Sequence, residues 1–320
     1  ILLGSTVVAA SGFARAAADG LGSFWLAIAL FGVGGPLISA GAPKAVGLWF
    51  GDERERRLAV GVYSTMPAIG GMATLVLSNT VLMPLTGSWR TTVVVETLAI
   101  VVAGLAWLVL SGRAPEAPVA VHDDDLASAA GRRELLASPE FRIVLVLGLG
   151  VFFVTHGLGG WMPQALRTHS GFSAMAAANW VALGGLVGVA ASLVVPRRTD
   201  RSRLPATLAT MQGVIAVGLV AVLVLPTAFD PVPVAVAGLR SALVPLVLVA
   251  LLECGPVRPA NTGAASGLWF AVAEVGGVSG PLVMGWVADS SAGFGGALLL
   301  MAGVCVLMLV PVARLRRFTR

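Results

Sequence analysis

Four ionisable side chains fall inside long apolar runs of this 320-residue sequence: Glu96, His156, Arg240 and Glu274. In lipid, a charge at a helix centre costs roughly 2.5–3.5 kcal/mol, so such a residue needs a partner or a task. Arg240 lies about eight residues into the run that opens near Val232, and Glu274 about twelve into the run that opens near Thr262. On consecutive helices of opposite direction, at 1.5 Å per residue, both charges come to lie about 12 Å from the same membrane face. An ion pair, direct or through water or substrate, would relieve both, and as a static pair it would lock two helices together. As a site, the planar guanidinium fork of Arg240 suits a carboxylate, nitrate or phosphate, with Glu274 as counter-charge or proton carrier. His156 either packs or couples a proton, since imidazole exchanges protons near neutral pH. Glu96 reads as a buried, hydrogen-bonded carboxyl. Lys44, beside Pro43, is close enough to a span end to snorkel, as an anchor or a gate. Asn179, Gln164, Tyr63 (the sole tyrosine), Ser64 and Thr65 offer uncharged hydrogen bonds.

The elements that must hold these groups are membrane helices. Hydrophobic residues make up 57% of the chain and charged residues 12%, against about 25% charged in a soluble domain. Mean hydropathy is +0.91. About ten spans can be drawn, each near the 20 residues that a hydrocarbon core needs, the first running from Ile1 to about Ala18. The opening inside an apolar run, without a Met, reads as a fragment or a processed product. Strand alternation is missing, so the spans are helices that satisfy their own backbones. The forty glycines suit close helix contacts. A polar stretch from 112 to 140, with Pro115, Pro118 and three consecutive aspartates, reads as a linker between an N-terminal half, 1–111, and a C-terminal half, 141–320.

Arginines gather in alternate loops: Arg54, Arg56 and Arg57; Arg113, Arg132 and Arg133; Arg197, Arg198, Arg201 and Arg203; Arg258; and Arg314, Arg316, Arg317 and Arg320, whereas the opposite loops hold only Arg15, Arg90 and Arg167. The positive-inside rule makes those loops cytoplasmic, and with them both ends of the chain. This topology, rather than nucleic-acid binding, accounts for the net charge of +5. Trp25, Trp89, Trp161 and Trp286 fall near span ends, as an aromatic belt would place them. Cys254 and Cys305 show no metal-ligand spacing, and neither a metal nor a cofactor is called for. No H-E-x-x-H, P-loop or G-x-S-x-G is present, which weighs against an integral-membrane enzyme.

Two segments repeat one another. Ala59-Val60-Gly61 with Gly70-Gly71 matches Ala265-Ser266-Gly267 with Gly276-Gly277, and Gly61 and Gly267 lie 206 residues apart. Such an offset indicates a duplicated helical bundle. Gly184 with Gly188, and Gly276 with Gly280, have the spacing of close helix contacts. Pro36, Pro67, Pro245 and Pro281 stand inside spans as kinks or rocking points.

Together these features resemble the major facilitator superfamily. Trp49-Phe50 followed by Glu53-Arg54, Arg56-Arg57 and Ala59-x-Gly61 is similar to the stretch joining its fourth and fifth helices, and Trp89-Arg90 to the start of its sixth. Gly160-Trp161-Met162-Pro163 with Gly171-Phe172-Ser173 resembles the seventh helix and following loop, most like the cyanate and nitrate/nitrite branches. Arg197-Arg198-Thr199-Asp200-Arg201 looks like a worn DRxGRR loop between helices eight and nine. The resemblance implies an all-α bundle of about ten transmembrane helices, lacking the family's first two, in two pseudo-symmetric halves. Gly32 has Ile28, not Arg, four residues before it, a departure from the proton-coupled drug exporters.

The resemblance implies a secondary transporter working by alternating access, as a monomer, in the cytoplasmic membrane of a bacterium. Its partners would be the bilayer, a small solute and a proton, with no nucleic acid. A small organic or inorganic anion is the preferred substrate, with Arg240, His156, Glu274, Asn179, Tyr63 and Ser64 in the binding site. Glu274 and His156 would couple protons. Arg54, Arg57, Asp200 and Arg201 would latch a conformation through salt bridges, and Gly61, Gly70, Gly267 and Gly276 would set helix contacts that change during transport. Efflux of hydrophobic or cationic compounds is the alternative, with Glu274 and Glu96 as ligands. A non-transporting receptor or membrane enzyme is the reading of another class.

Overall fold

The computed structural model describes residues 1–49, 53–112, 129–258 and 261–319, which form helices and turns without a strand among them. Among the described residues nine helices are long and apolar enough to cross a bilayer, and Leu2–Ala17 is a shorter apolar helix. The chain divides into two compact units, residues 1–121 and 122–320.

The first unit runs α1 (Leu2–Ala17), α2 (Leu21–Trp49), α3 (Glu53–Leu77), a π-helical turn (Ser78–Leu82), α4 (Met83–Thr86) and α5 (Trp89–Ser111). Small residues bring α1 onto α2: a Cβ on Gly4 would stand 2.9 Å from the Gly34 carbonyl oxygen, and one on Gly34 equally close to that of Gly4. Ser11 Oγ donates to the Ala27 carbonyl at 2.7 Å in the same seam. Gly87 turns the chain with φ +62°, and Ser88 caps α5 by accepting the Thr91 N–H. Ser78, at the head of the π-helical turn, donates to the half-buried Glu96 carboxylate. That is the hydrogen-bonded carboxyl expected at Glu96.

The second unit opens with α6 (Ala129–Ala137), a helix inside the stretch expected as linker. Then come α7 (Pro139–His169), α8 (Ala174–Val194), α9 (Leu204–Val224), α10 (Pro231–Gly238), α11 (Leu243–Leu252), α12 (Thr262–Asp289), α13 (Gly293–Leu307) and α14 (Leu309–Leu315). Local sequence sets the boundaries. Ser138 accepts the Phe141 N–H ahead of Pro139, a capped start with proline at the first position. Gly171 takes φ +72° and Ser173 caps α8 by accepting the Ala176 N–H at 3.1 Å, so Gly171-Phe172-Ser173 is a stop-and-restart device.

The seam between α7 and α12 organises this unit. A Cβ on Gly276 would meet the Leu149 carbonyl oxygen, and one on Gly280 the Phe153 carbonyl oxygen. Two indoles fasten the seam toward its ends. Trp269, fully buried, lies against Gly148 and donates to the Val144 carbonyl at 3.2 Å. Trp161 lies against Gly285 and donates to the Pro281 carbonyl at 2.9 Å. Trp161 therefore departs from the aromatic-belt expectation, because its N–H has a partner inside the bundle, whereas Trp25, Trp89 and Trp286 are exposed. The contacts advance together along both chains, so α7 and α12 run parallel. A second seam joins α8 to α10, where a Cβ on Gly184 would stand 2.8 Å from the Val234 carbonyl oxygen and one on Gly188 would meet that of Gly238.

Gly276→Val would force these backbones apart. An overpacked core loses typically 1–3 kcal/mol, so Gly276→Val should lower the unfolding midpoint of the purified protein, followed by tryptophan fluorescence. Gly213→Ala, where an added Cβ meets nothing within 4 Å, should not lower it.

Candidate functional site

Arg240 sits at a break in its span. Between α10 and α11 the chain tightens into a 3-10 turn, Leu239–Ala242. Proline explains the break: Pro245 has no N–H for the Ser241 carbonyl, and its ring crowds that oxygen. Arg240 Nη1 donates to the Ala237 carbonyl at 3.0 Å, one turn back. Its Nε–H is buried without an acceptor. Among the described residues, no carboxylate lies within ion-pair distance of it.

The direct pair with Glu274 is therefore not formed. Glu274 is exposed on α12, and its neighbour is the α7 histidine. The position a Cβ on Gly277 would take is 2.9 Å from Glu274 Oε2 and 3.5 Å from His156 Nδ1. One glycine thus opens a notch in which a carboxylate and an imidazole converge. His156 Nδ1 lies 3.0 Å from the Phe152 carbonyl, which can only accept. That bond places a proton on Nδ1 and leaves Nε2 able to take another.

Asn179 is exposed on α8. The register of the α8–α10 seam sets it level with the start of α10, about 16 Å along the axis from Arg240 at 1.5 Å per residue. The structure thus separates these two expected ligands. The side chains of Lys44, Arg54, Arg57, Tyr63, Ser64 and Thr65, together with Gly61, lie outside the described residues. The repeated glycines differ in use: Gly276 is pressed on Leu149, whereas a Cβ on Gly70 or Gly267 would meet nothing within 4 Å. Among the described residues no cluster suits a metal ion.

A buried parallel helix pair, a broken helix with an arginine in the break, and small-residue seams belong to a transport bundle rather than a catalytic pocket. A sequence profile described as Major Facilitator Superfamily matches residues 1–256. The chain belongs to the major facilitator superfamily. It is thus an integral membrane protein, a transporter and not an enzyme. No curated protein sequence matches it. Among solved structures it is similar to the fucose:proton symporter of E. coli, at 14% identity and TM-score 0.64, covering 100% of this chain and 83% of that one. It is also similar to a bacterial homologue of the human lysosomal transporter Spinster, at 17% identity and TM-score 0.72, covering 99% and 81%. A third is the human organic anion transporter MFSD10, at 14% identity and TM-score 0.58, covering 97% and 76%. At these identities the likeness establishes the fold.

In this superfamily member the expected Asp200–Arg201 loop finds an acid that the sequence reading passed over. Arg201 Nη2 lies 3.5 Å from Glu140 Oε1, and it donates to the Phe318 carbonyl at 3.4 Å. Glu140 Oε2 accepts the Gly255 N–H at 2.9 Å. One carboxylate therefore joins the start of α7, the α8–α9 loop and the end of α11. Glu253 lines the same small void, with Oε2 buried and unpartnered. The signal was present in Ser138-Pro139-Glu140, a helix start, but assignment to a linker concealed it. Asp230 was also missed: it is fully buried at the start of α10, and neither carboxylate oxygen has a hydrogen-bond partner.

Beside this junction, burial first and then the Glu140 carboxylate push the Cys254 thiol up to about 12, with Arg201 pulling it down. At pH 8 that leaves about one thiolate in ten thousand. In a Cys305→Ala background, native Cys254 should resist maleimide at pH 8 and label fully after denaturation. Glu140→Ala should speed native labelling severalfold, as read by intact-protein mass spectrometry.

Proposed function

We propose that this secondary transporter carries a small organic or inorganic anion, with Arg240 as the anion-binding group and with proton coupling through His156 and Glu274. The observation that carries the anion reading is the unspent donor of Arg240. Its Nε–H is buried and unpartnered, and no described carboxylate neutralises the guanidinium. A buried unsatisfied donor costs about 1–3 kcal/mol, more for a charged group. A bound oxyanion removes that penalty by a charge-assisted bond. Alternation of access to this group would let the anion in from one face and out to the other.

The proton reading rests on the notch over Gly277. His156 would take a proton at Nε2 while Nδ1 stays bonded to Phe152, and the Glu274 carboxylate would hold the imidazolium. The structural neighbours include one titled a fucose:proton symporter and one titled an organic anion transporter. Their likeness supports the bundle, and the choice of anion rests on Arg240. The arginine distribution favours both ends of the chain in the cytoplasm of a bacterium, and a single chain contains every residue invoked.

Proteoliposome uptake of labelled nitrate, cyanate and small carboxylates tests the assignment. Arg240→Ala should reduce anion uptake at least 100-fold in folded protein, and Arg240→Lys should not restore it, since an ammonium lacks the planar fork. Wild-type anion uptake in Arg240→Ala would overturn the anion reading. Glu274→Gln and His156→Gln should keep anion exchange but lose accumulation driven by a pH gradient. Undiminished accumulation in both variants would overturn the coupling role.

A further inference from the structure

The geometry points to a binding site for an anionic phospholipid in a groove between the start of α7 and the end of the continuous α13–α14 span. The groove holds about 740 Å³, and Arg142, Arg314 and Arg317 line it. All three are exposed, and among the described residues no acid forms part of its walls. The acid closest in sequence, Glu140, is engaged by Arg201 and the Gly255 N–H. Among the described residues, none of the three guanidinium groups has a carboxylate partner. Three cations therefore share one concavity without an internal counter-charge.

The rest of the groove is apolar and graded along the helix axes. Val146 lies one turn beyond Arg142 on α7, and Leu307 lies seven residues before Arg314 on the α13–α14 span. At 1.5 Å per residue these positions lie about 6 and 10 Å along the axes from the arginine backbones, toward the middle of the bilayer. Val146, Leu307 and Val310 are exposed at 47%, 61% and 50%. Headgroup phosphate at the arginines and an acyl chain along Val146, Val310 and Leu307 match this grading, as in basic pockets between membrane helices. The absence of acids in the walls selects a lipid of net negative charge, because a zwitterionic headgroup would bring its ammonium among three guanidinium groups. The arginines lie on the face that the positive-inside rule makes cytoplasmic, so the lipid belongs to the inner leaflet.

The site is separate from Arg240 and from the His156–Glu274 notch. It borders the Glu140 junction, because Phe318 forms part of the groove wall while its carbonyl accepts from Arg201. A seated lipid would therefore hold the end of the α13–α14 span against the α8–α9 loop.

Native mass spectrometry of the full chain, titrated with phosphatidylglycerol or phosphatidylcholine, tests the site. The wild type should bind phosphatidylglycerol at least ten times more tightly than phosphatidylcholine. The triple variant Arg142→Ala, Arg314→Ala, Arg317→Ala should lose that preference. Val146→Trp with Val310→Trp, which fills the groove and leaves the charges, should also lose it. Arg197→Ala, Arg198→Ala, Arg203→Ala removes equal charge from the neighbouring loop and should keep it. Three results would each overturn the proposal: equal binding of the two lipids by the wild type, equal loss in the loop variant, or binding that survives groove filling and is displaced by inorganic phosphate.

Discussion

Backbone contact between α7 and α12 is the constraint on which the second unit depends. Lipid offers little hydrophobic drive to bring two apolar helices together, so the pair relies on dispersion and on hydrogen bonds that need close approach. Gly276 and Gly280 provide that approach by presenting no side chain to the Leu149 and Phe153 carbonyls. The indoles of Trp269 and Trp161 then bond to carbonyls of the opposite helix. The polar pair His156 and Glu274 follows from the same spacing. A bulkier residue at Gly277 would fill the place where the imidazole and carboxylate now converge.

The second unit combines that fixed pair with a broken helix. Pro245 interrupts the α10–α11 span one turn beyond Arg240, and the resulting 3-10 turn rests on α8 through Gly184, Gly188 and Gly238. Irregular backbone at membrane depth is tolerated where protein covers it. Here the covering surface is the small-residue face of α8. The guanidinium therefore starts from an unusual backbone geometry, and one of its five donors is already used on Ala237.

The helical class and most spans were legible because lipid enforces helices and a minimum length, and hydropathy reports both. Glycine spacing was legible for the same reason: Gly184, Gly188, Gly276 and Gly280 lie where small residues at that period permit contact. The site was less legible. Depth along a helix can be counted from sequence, but azimuth cannot, and azimuth separates Glu274 from Arg240 while turning it toward His156. Distance along an axis likewise sets Asn179 apart from Arg240, which needs the α8–α10 register to see. Glu140 stayed hidden because its partners, Arg201 and the Gly255 N–H, lie far away in sequence.

The α7–α12 seam also has a schedule. Trp161 and Pro281 are 120 residues apart in the chain. At synthesis rates of about 5–20 residues per second, α7 waits on the order of ten seconds before α12 exists. During that interval the carbonyls at Leu149 and Phe153, the notch at His156 and the unpaired indole of Trp161 face lipid, an earlier helix or the insertion machinery. The seam that sets His156 near Glu274 thus becomes possible only after α8 to α11 have been made. The helix that opens this unit therefore completes its main contact only near the end of synthesis, with α13 and α14 still to come.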